Sequence, residues 1–240
     1  MKRWLVLALG LICGIAASGQ EVRRALEIAP LADGFYVFTT YNTVDGSLFP
    51  SNGLICLTQE GAVLIDTPWD TTQFQPLLDS IWSRHHQRVV ATVSTHWHDD
   101  RTACTERFEK MGARTYSRIQ TQELCRANDN EVPAHGFLKD TTFHIGGLEF
   151  EAFYPGAGHA QDNIVVWFPK SRILYGGCLV KSVQSKGLGF TGDADLAHWP
   201  DAIRAVQQRY PQARWVIPGH QAWKGKEALS HTLKLLKAAK

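Results

Sequence analysis

Four stretches of this chain share one form: an apolar run of β-type residues, a short polar or glycine-rich turn, then a side chain able to bind a metal. In "RVVATVSTHWHDD" the run leads to His96, His98, Asp99 and Asp100. In "YPGAGHAQDN" a glycine-rich turn leads to His159, and in "ILYGGCLVKS" two glycines precede Cys178. In "WVIPGHQAW" Pro218 and Gly219 precede His220. Any one such His or Cys is ordinarily structural. Four strand ends of this kind point to a shared site, and only a fold that gathers separate strand ends can build one.

The rest of the pattern supplies such a fold. The β-branched and aromatic runs "GFYVFTTYNT" (34–43), "GLICLT" (53–58) and "GAVLIDT" (61–67) read as strands bounded by Gly, Asp and Pro. A helix follows, with Asp70 as N-cap and Phe74, Leu77, Leu78, Ile81 and Trp82 on one face. "RVVATVST" (88–95) reads as a buried strand, with a second helix starting after Arg101 and a third around 117–127. The second half repeats this order. Strands are expected at 141–154, 163–168, 172–176 and 214–218. Helices are expected at 200–210, where Pro200 suits the first turn, and at 225–239, where Leu229, Leu233 and Leu236 share a face. Strands then helix, twice over, predict an α/β protein: an αββα sandwich of two similar halves, sheet against sheet with helices outside.

Lys2 and Arg3 precede the apolar run Trp4 to Ile12 and the small residues of "GIAASGQ". This is the order of a secretory signal peptide, residues 1–19, with the cut expected after Gly19. The run is too short for a stable membrane anchor. Residues 20–240 are therefore expected as one periplasmic domain, a monomer by default. The chain holds 25 basic and 23 acidic side chains, and Lys2 and Arg3 make up the difference. A neutral mature chain carries no electrostatic footprint for nucleic acid. Cys56, Cys104, Cys125 and Cys178 show no disulfide framework; Cys56 reads as core and Cys104 and Cys125 as free thiols.

His96 and His98 are two apart, so at an extended strand end they point the same way. Asp100 keeps that side if the chain stays extended, and Asp99 alternates away. With His159, Cys178 and His220 the candidates number six. Imidazole, carboxylate and thiolate all suit zinc, and six ligands serve two ions with positions left open for water. Open positions favour catalysis over a closed structural site.

H-x-H-x-D followed by single downstream ligands resembles the signature of the metallo-β-lactamase fold superfamily, over nearly the whole mature chain. Many hydrolases of that superfamily carry His after the Asp and a bridging Asp later. Here Arg101 follows Asp100, and Cys178 stands at the later position, as in zinc β-lactamases of subclass B1. "YNTVDGSLFPSNGL", "LIDTPWD", "GHAQDNIVVW", "GDADLAHWP" and "IPGH" resemble that subclass too. The resemblance implies one zinc on His96, His98 and His159 and a second on Asp100, Cys178 and His220. It implies hydrolysis of the amide bond of penicillins, cephalosporins and carbapenems, and hence antibiotic resistance. It also implies catalytic roles for Asp100 and Lys181, with Lys181 pairing with the substrate carboxylate. Val44, Leu48 and Phe49, on a hairpin over 42–49, would cover the substrate, with Trp69 and Phe190 also in contact.

Two departures stand out. Phe190 occupies a turn where the family often has Asn facing the substrate carbonyl, and phenylalanine cannot donate a hydrogen bond. Gln221 follows His220 where the family usually has Gly, which would narrow the pocket. Asp66 reads either as a partner orienting a ligand histidine or as a cap of the next turn. The alternative functions are a thioester or lactone hydrolase of the same fold and an exported zinc-binding protein without catalysis. The Arg101–Cys178 pairing weighs against the first, and open coordination against the second.

Overall fold

Residues 26–239 are described by a computed structural model; the expected signal peptide lies outside them. Strands β1 (Glu27–Ala32), β2 (Phe35–Val44), β3 (Ser47–Leu57) and β4 (Ala62–Ile65) form an antiparallel meander. Helix α1 (Phe74–His85) crosses over to β5 (Val89–Val93), which lies parallel to β4. Helices α2 (Asp99–Thr102) and α3 (Thr105–Lys110) lead to β6 (Arg114–Arg118), and α4 (Ile119–Ala127) leads to β7 (His135–Phe137); both strands extend the sheet in parallel. A second meander follows: β8 (Thr141–Ile145), β9 (Leu148–Phe153), β10 (Val165–Phe168) and β11 (Ile173–Gly177). Helix α5 (Trp199–Arg209) then crosses to β12 (Trp215–Pro218), parallel to β11, and α6 (Ala228–Ala238) closes the chain. The sheets run β1 to β7 in sequence order and β12-β11-β10-β9-β8. Each half thus contains one unit: four antiparallel strands, a crossover helix, and a fifth strand parallel to the fourth.

The layering follows from residues that alternate across each pleat. Val37, Leu54, Ile65 and Val93 meet Phe150, Val166, Phe168 and Tyr175 between the sheets. Their neighbours Phe38, Ile55 and Leu64 face outward under Phe74, Leu77 and Ile81 of α1 and Phe108 of α3. In the other sheet Val165 and Leu174 face Trp199, Ile203 and Val206 of α5 and Leu229 and Leu236 of α6. Strands apolar on both faces leave helices outside and sheets inside, the αββα arrangement. Each fully buried Leu or Phe contributes about 1.5–3 kcal/mol.

Several local expectations need correction. Asp70 does cap, accepting from Thr72 N, but a 3-10 turn over Thr71–Gln73 precedes α1. Trp82 is 51% exposed, because the buried face of α1 is spent on Phe74, Leu77 and Ile81. The second helix starts at Asp99, ahead of Arg101. Strands β1, β6 and β7 were not expected. β1 carries Pro30, tolerated because the strand lies at the sheet edge. Cys104 and Cys125 are buried free thiols. No helix among the described residues is long and apolar enough to cross a membrane.

Candidate metal centre

The site is built where the fourth and fifth strands of both halves run out. Beyond β5, Thr95 is pinned by Asp66, whose carboxylate accepts from Thr95 N at 2.7 Å and from Thr95 Oγ1 at 2.9 Å. His96 follows, fully buried. At His98 the backbone is still extended, and α2 begins at the next residue. The extended register expected for Asp99 and Asp100 therefore fails. Asp100 turns inward in the first turn of α2, with its Oδ1 3.8 Å from His96 Nε2. Asp99 is exposed, and it lines the rim of the same cavity instead of facing away.

The second half supplies the opposite wall. A Cβ on Gly219 would sit 2.8 Å from Cys178 Sγ, so only glycine lets the β12 turn come this close to β11. That approach sets His220 Nε2 3.2 Å from Cys178 Sγ and 3.0 Å from Asp100 Oδ2, with Cys178 Sγ 3.4 Å from that same oxygen. The His159 ring, carried by the turn before β10, lies 5.0 Å from His96 and 5.1 Å from His98. Atoms able to ligate on His96, His98 and His159 all fall within 4.8 Å of one another, as do those on His96, Asp100 and Cys178.

Hydrogen bonds behind the imidazoles decide which nitrogen faces inward. Pro50 O, which can only accept, lies 2.8 Å from His220 Nδ1, so Nε2 keeps its lone pair toward Asp100 and Cys178. Asp193 Oδ2 lies 3.0 Å from His98 Nε2, which leaves Nδ1 as a lone pair 3.0 Å from His96 Nε2. Arg101 NH2 is the cation shared by Asp100 Oδ2, Cys178 Sγ and His220 Nε2, the last at 3.1 Å, and the Cys178 thiol donates to Asp100 Oδ2. The ligand set fits zinc: four imidazoles, one carboxylate and one thiol. Burial lowers the pKa of His96 and His159 well below the ordinary histidine value, and lowers that of His220 against the pull of Asp100. Burial opposes ionisation of Asp100, yet the Arg101 guanidinium beside it holds its carboxyl well below the usual range.

Arg101 lies at the centre of this arrangement and is wholly buried. One arm, NH1, donates to Asn52 O at 2.7 Å and reaches Asp66 Oδ2 at 3.2 Å. The other, NH2, lies 2.8 Å from Asp100 Oδ2, 3.0 Å from Cys178 Sγ and 2.9 Å from Gly219 O. Asp66 therefore orients Arg101 and Thr95, and touches no histidine. In the sequence Arg101 marks the subclass but nothing there gives it a task, and nothing marks Asp193 of "GDAD", Asn52 of "PSNGL" or Tyr175 as part of the site.

The centre floors a cavity of about 910 Å³. Val44, Phe49, Trp69 and Phe190 line it, as does Lys181, which is only 8% exposed and holds its ammonium 5.2 Å from the Trp199 ring. The hairpin bearing Val44 and Phe49 turns at Asp45 and Gly46, both at positive φ, as a two-residue hairpin turn of type I′ requires. Leu48 is exposed on that hairpin and is not among the cavity's lining residues. Phe190 is 63% exposed; its ring lies 5.8 Å from that of His98 and folds back over Gly192.

No family model matches the chain. Known proteins do. A metallo-β-lactamase type 2 of Elizabethkingia meningoseptica is 41% identical over 236 residues, 98% of this chain and 94% of the relative. The chain belongs to the metallo-β-lactamase family. Its subclass is B1. The solved metallo-β-lactamase from Pontibacter korlensis is 45% identical with a TM-score of 0.85, over 88% of this chain and 99% of that one. FIM-1 from Pseudomonas aeruginosa, a family member solved in a mono-zinc form, is 31% identical with a TM-score of 0.82, over 90% of this chain and 96% of that one.

Proposed function

We propose that this metallo-β-lactamase opens the amide bond of β-lactams by zinc-dependent hydrolysis, confers antibiotic resistance, and acts in the periplasm after its signal peptide is removed. His96, His98 and His159 hold one zinc; Asp100, Cys178 and His220 hold the other. The observation that carries this reading is the convergence of ligand-capable atoms on the cavity floor, those of His96, His98 and His159 and those of His96, Asp100 and Cys178 each within 4.8 Å of one another. When bound, the two ions supply Lewis acidity and lower the pKa of a coordinated water to about 7.

The chain's own residues do the rest. Pro50 O and Asp193 hold His220 and His98 with lone pairs aimed at the centre. Arg101 engages Asp100 Oδ2 and keeps that carboxylate ionised, as a metal ligand must be. Lys181 supplies a cation for the substrate carboxylate. Val44, Phe49, Trp69 and Phe190 offer apolar walls to the ring substituents and keep water out. Phe190 leaves the substrate carbonyl without a side-chain donor on its wall.

The test is hydrolysis of a chromogenic cephalosporin by purified protein with and without chelator, beside thioester and lactone substrates. Cephalosporin turnover should vanish with chelator and return with two equivalents of zinc. Absence of turnover from protein carrying two zinc ions, or preferred thioester cleavage, would overturn the reading.

A further inference from the structure

Gln221 stands in the left-handed region at φ +63°, which glycine enters freely and other residues rarely. Its backbone is held there without help from its side chain. Asn52 Nδ2 donates to Pro218 O at 3.0 Å and to Gln221 O at 2.9 Å, Asn52 N donates to Gly219 O at 2.8 Å, and Ser51 bridges His220. Glycine would suit the backbone better, so whatever favours glutamine lies in its carboxamide.

That carboxamide is oriented. Ser185 Oγ donates to Gln221 Oε1 at 2.8 Å, which turns the acceptor end toward the loop that begins at Lys181. Ser182 Oγ donates to Ala222 O at 2.7 Å and ties the same loop to the same turn. Gln221 Nε2 is left with no hydrogen bond among the described residues, on a side chain that lines the cavity. The other lining carboxamide, Asn130, already donates to Trp97 O at 2.9 Å. Lys181 has its ammonium drawn in beside Trp199, and Phe190 donates nothing. A carboxylate has room for several donors, and one cation does not fill it.

We propose that Gln221 Nε2 donates to the substrate carboxylate that Lys181 pairs with, so that Gln221 is a substrate-binding residue and Ser185 positions it. This rests on the β-lactam reading above.

The experiment compares zinc-loaded wild type, Gln221→Gly and Ser185→Ala on a cephalosporin and on its carboxyl methyl ester. For the free acid, Gln221→Gly should raise KM roughly tenfold with kcat within about twofold, the size of one lost charge-assisted hydrogen bond. Ser185→Ala should raise that KM about threefold, because the amide is still present but no longer held. The ester should show less than about a twofold change in KM in either variant. An unchanged KM for the acid overturns the proposal, as does an equal rise for acid and ester, which would mean a role in pocket shape alone. Gln221→Gly relieves the positive φ, so the variant should melt no lower than wild type. Failure of wild type to hydrolyse either substrate would instead bring down the β-lactam reading underneath.

Discussion

In the first half β4 runs out into Asp66; in the second, β11 runs out into Cys178 at the corresponding position. The two side chains face the same guanidinium, Asp66 on one arm of Arg101 and Cys178 on the other. Their surroundings differ. Asp66 accepts from Thr95 N, Thr95 Oγ1, Tyr175 Oη and Arg101, so its oxygens are filled by donors. Cys178 has one donor, Arg101, and its remaining close neighbours are the carboxylate of Asp100 and the lone pair of His220. Asp66 is thus filled as scaffold, whereas Cys178 keeps lone pairs among other ligand-capable groups. Strand position alone does not decide between the two.

The sharpest way to break that comparison is to change the two positions separately. Cys178→Ala should cut the zinc content from two to one and lower β-lactam turnover by about 100-fold or more. Asp66→Asn should keep two zinc ions and lose only about tenfold in zinc affinity, through a loosened Arg101. Metal analysis with a competing chelator reads both, and two zinc ions in Cys178→Ala would end the distinction. Arg101→Ala comes next in size. It strands two buried carboxylates and should cost about 3–5 kcal/mol in chemical denaturation, whereas Arg101→Lys, which keeps the charge but not the fork, should cost less.

The smallest effect concerns pH. Each half holds a carboxyl that burial raises to about 6: Asp66 in the first and Asp162 in the second. Asp162 accepts from Thr121 Oγ1 at 2.7 Å while its Oδ1 has no partner, so it can be changed without touching Arg101. A raised carboxyl favours the folded state when protonated. That contribution is complete below the ordinary value of 3.8 and is lost as pH rises through about 6. In metal-free protein, wild type should therefore lose about 2–3 kcal/mol relative to Asp162→Asn between pH 4 and pH 7. Parallel urea curves would refute this.

The αββα plan was legible because buried strands apolar on both faces and amphipathic helices each carry their period in the sequence. β6, "RTYSR", was not, since it carries no apolar run and its strand state comes only from pairing with β5 and β7. The six clustered ligand candidates were legible as chemistry at strand ends. The path that brings Asp100 inward was not, because nothing in "HWHDDR" marks where extended backbone gives way to helix. Arg101 was hardest to read. A guanidinium with 0% exposure is uncommon, and its function depends on groups from Asn52 to Gly219, far apart in sequence.

Each proposed triad draws on both halves: His96 and His98 with His159, and Asp100 with Cys178 and His220. The bound ions are then cross-links between the two sheets, reversible counterparts of the disulfides that the described residues lack. Every unit of free energy spent on holding zinc also resists prying the sandwich open, by mass action on the folded form. With those ligand sets, ambient zinc would add to the stability of the folded sandwich as well as supply its chemistry.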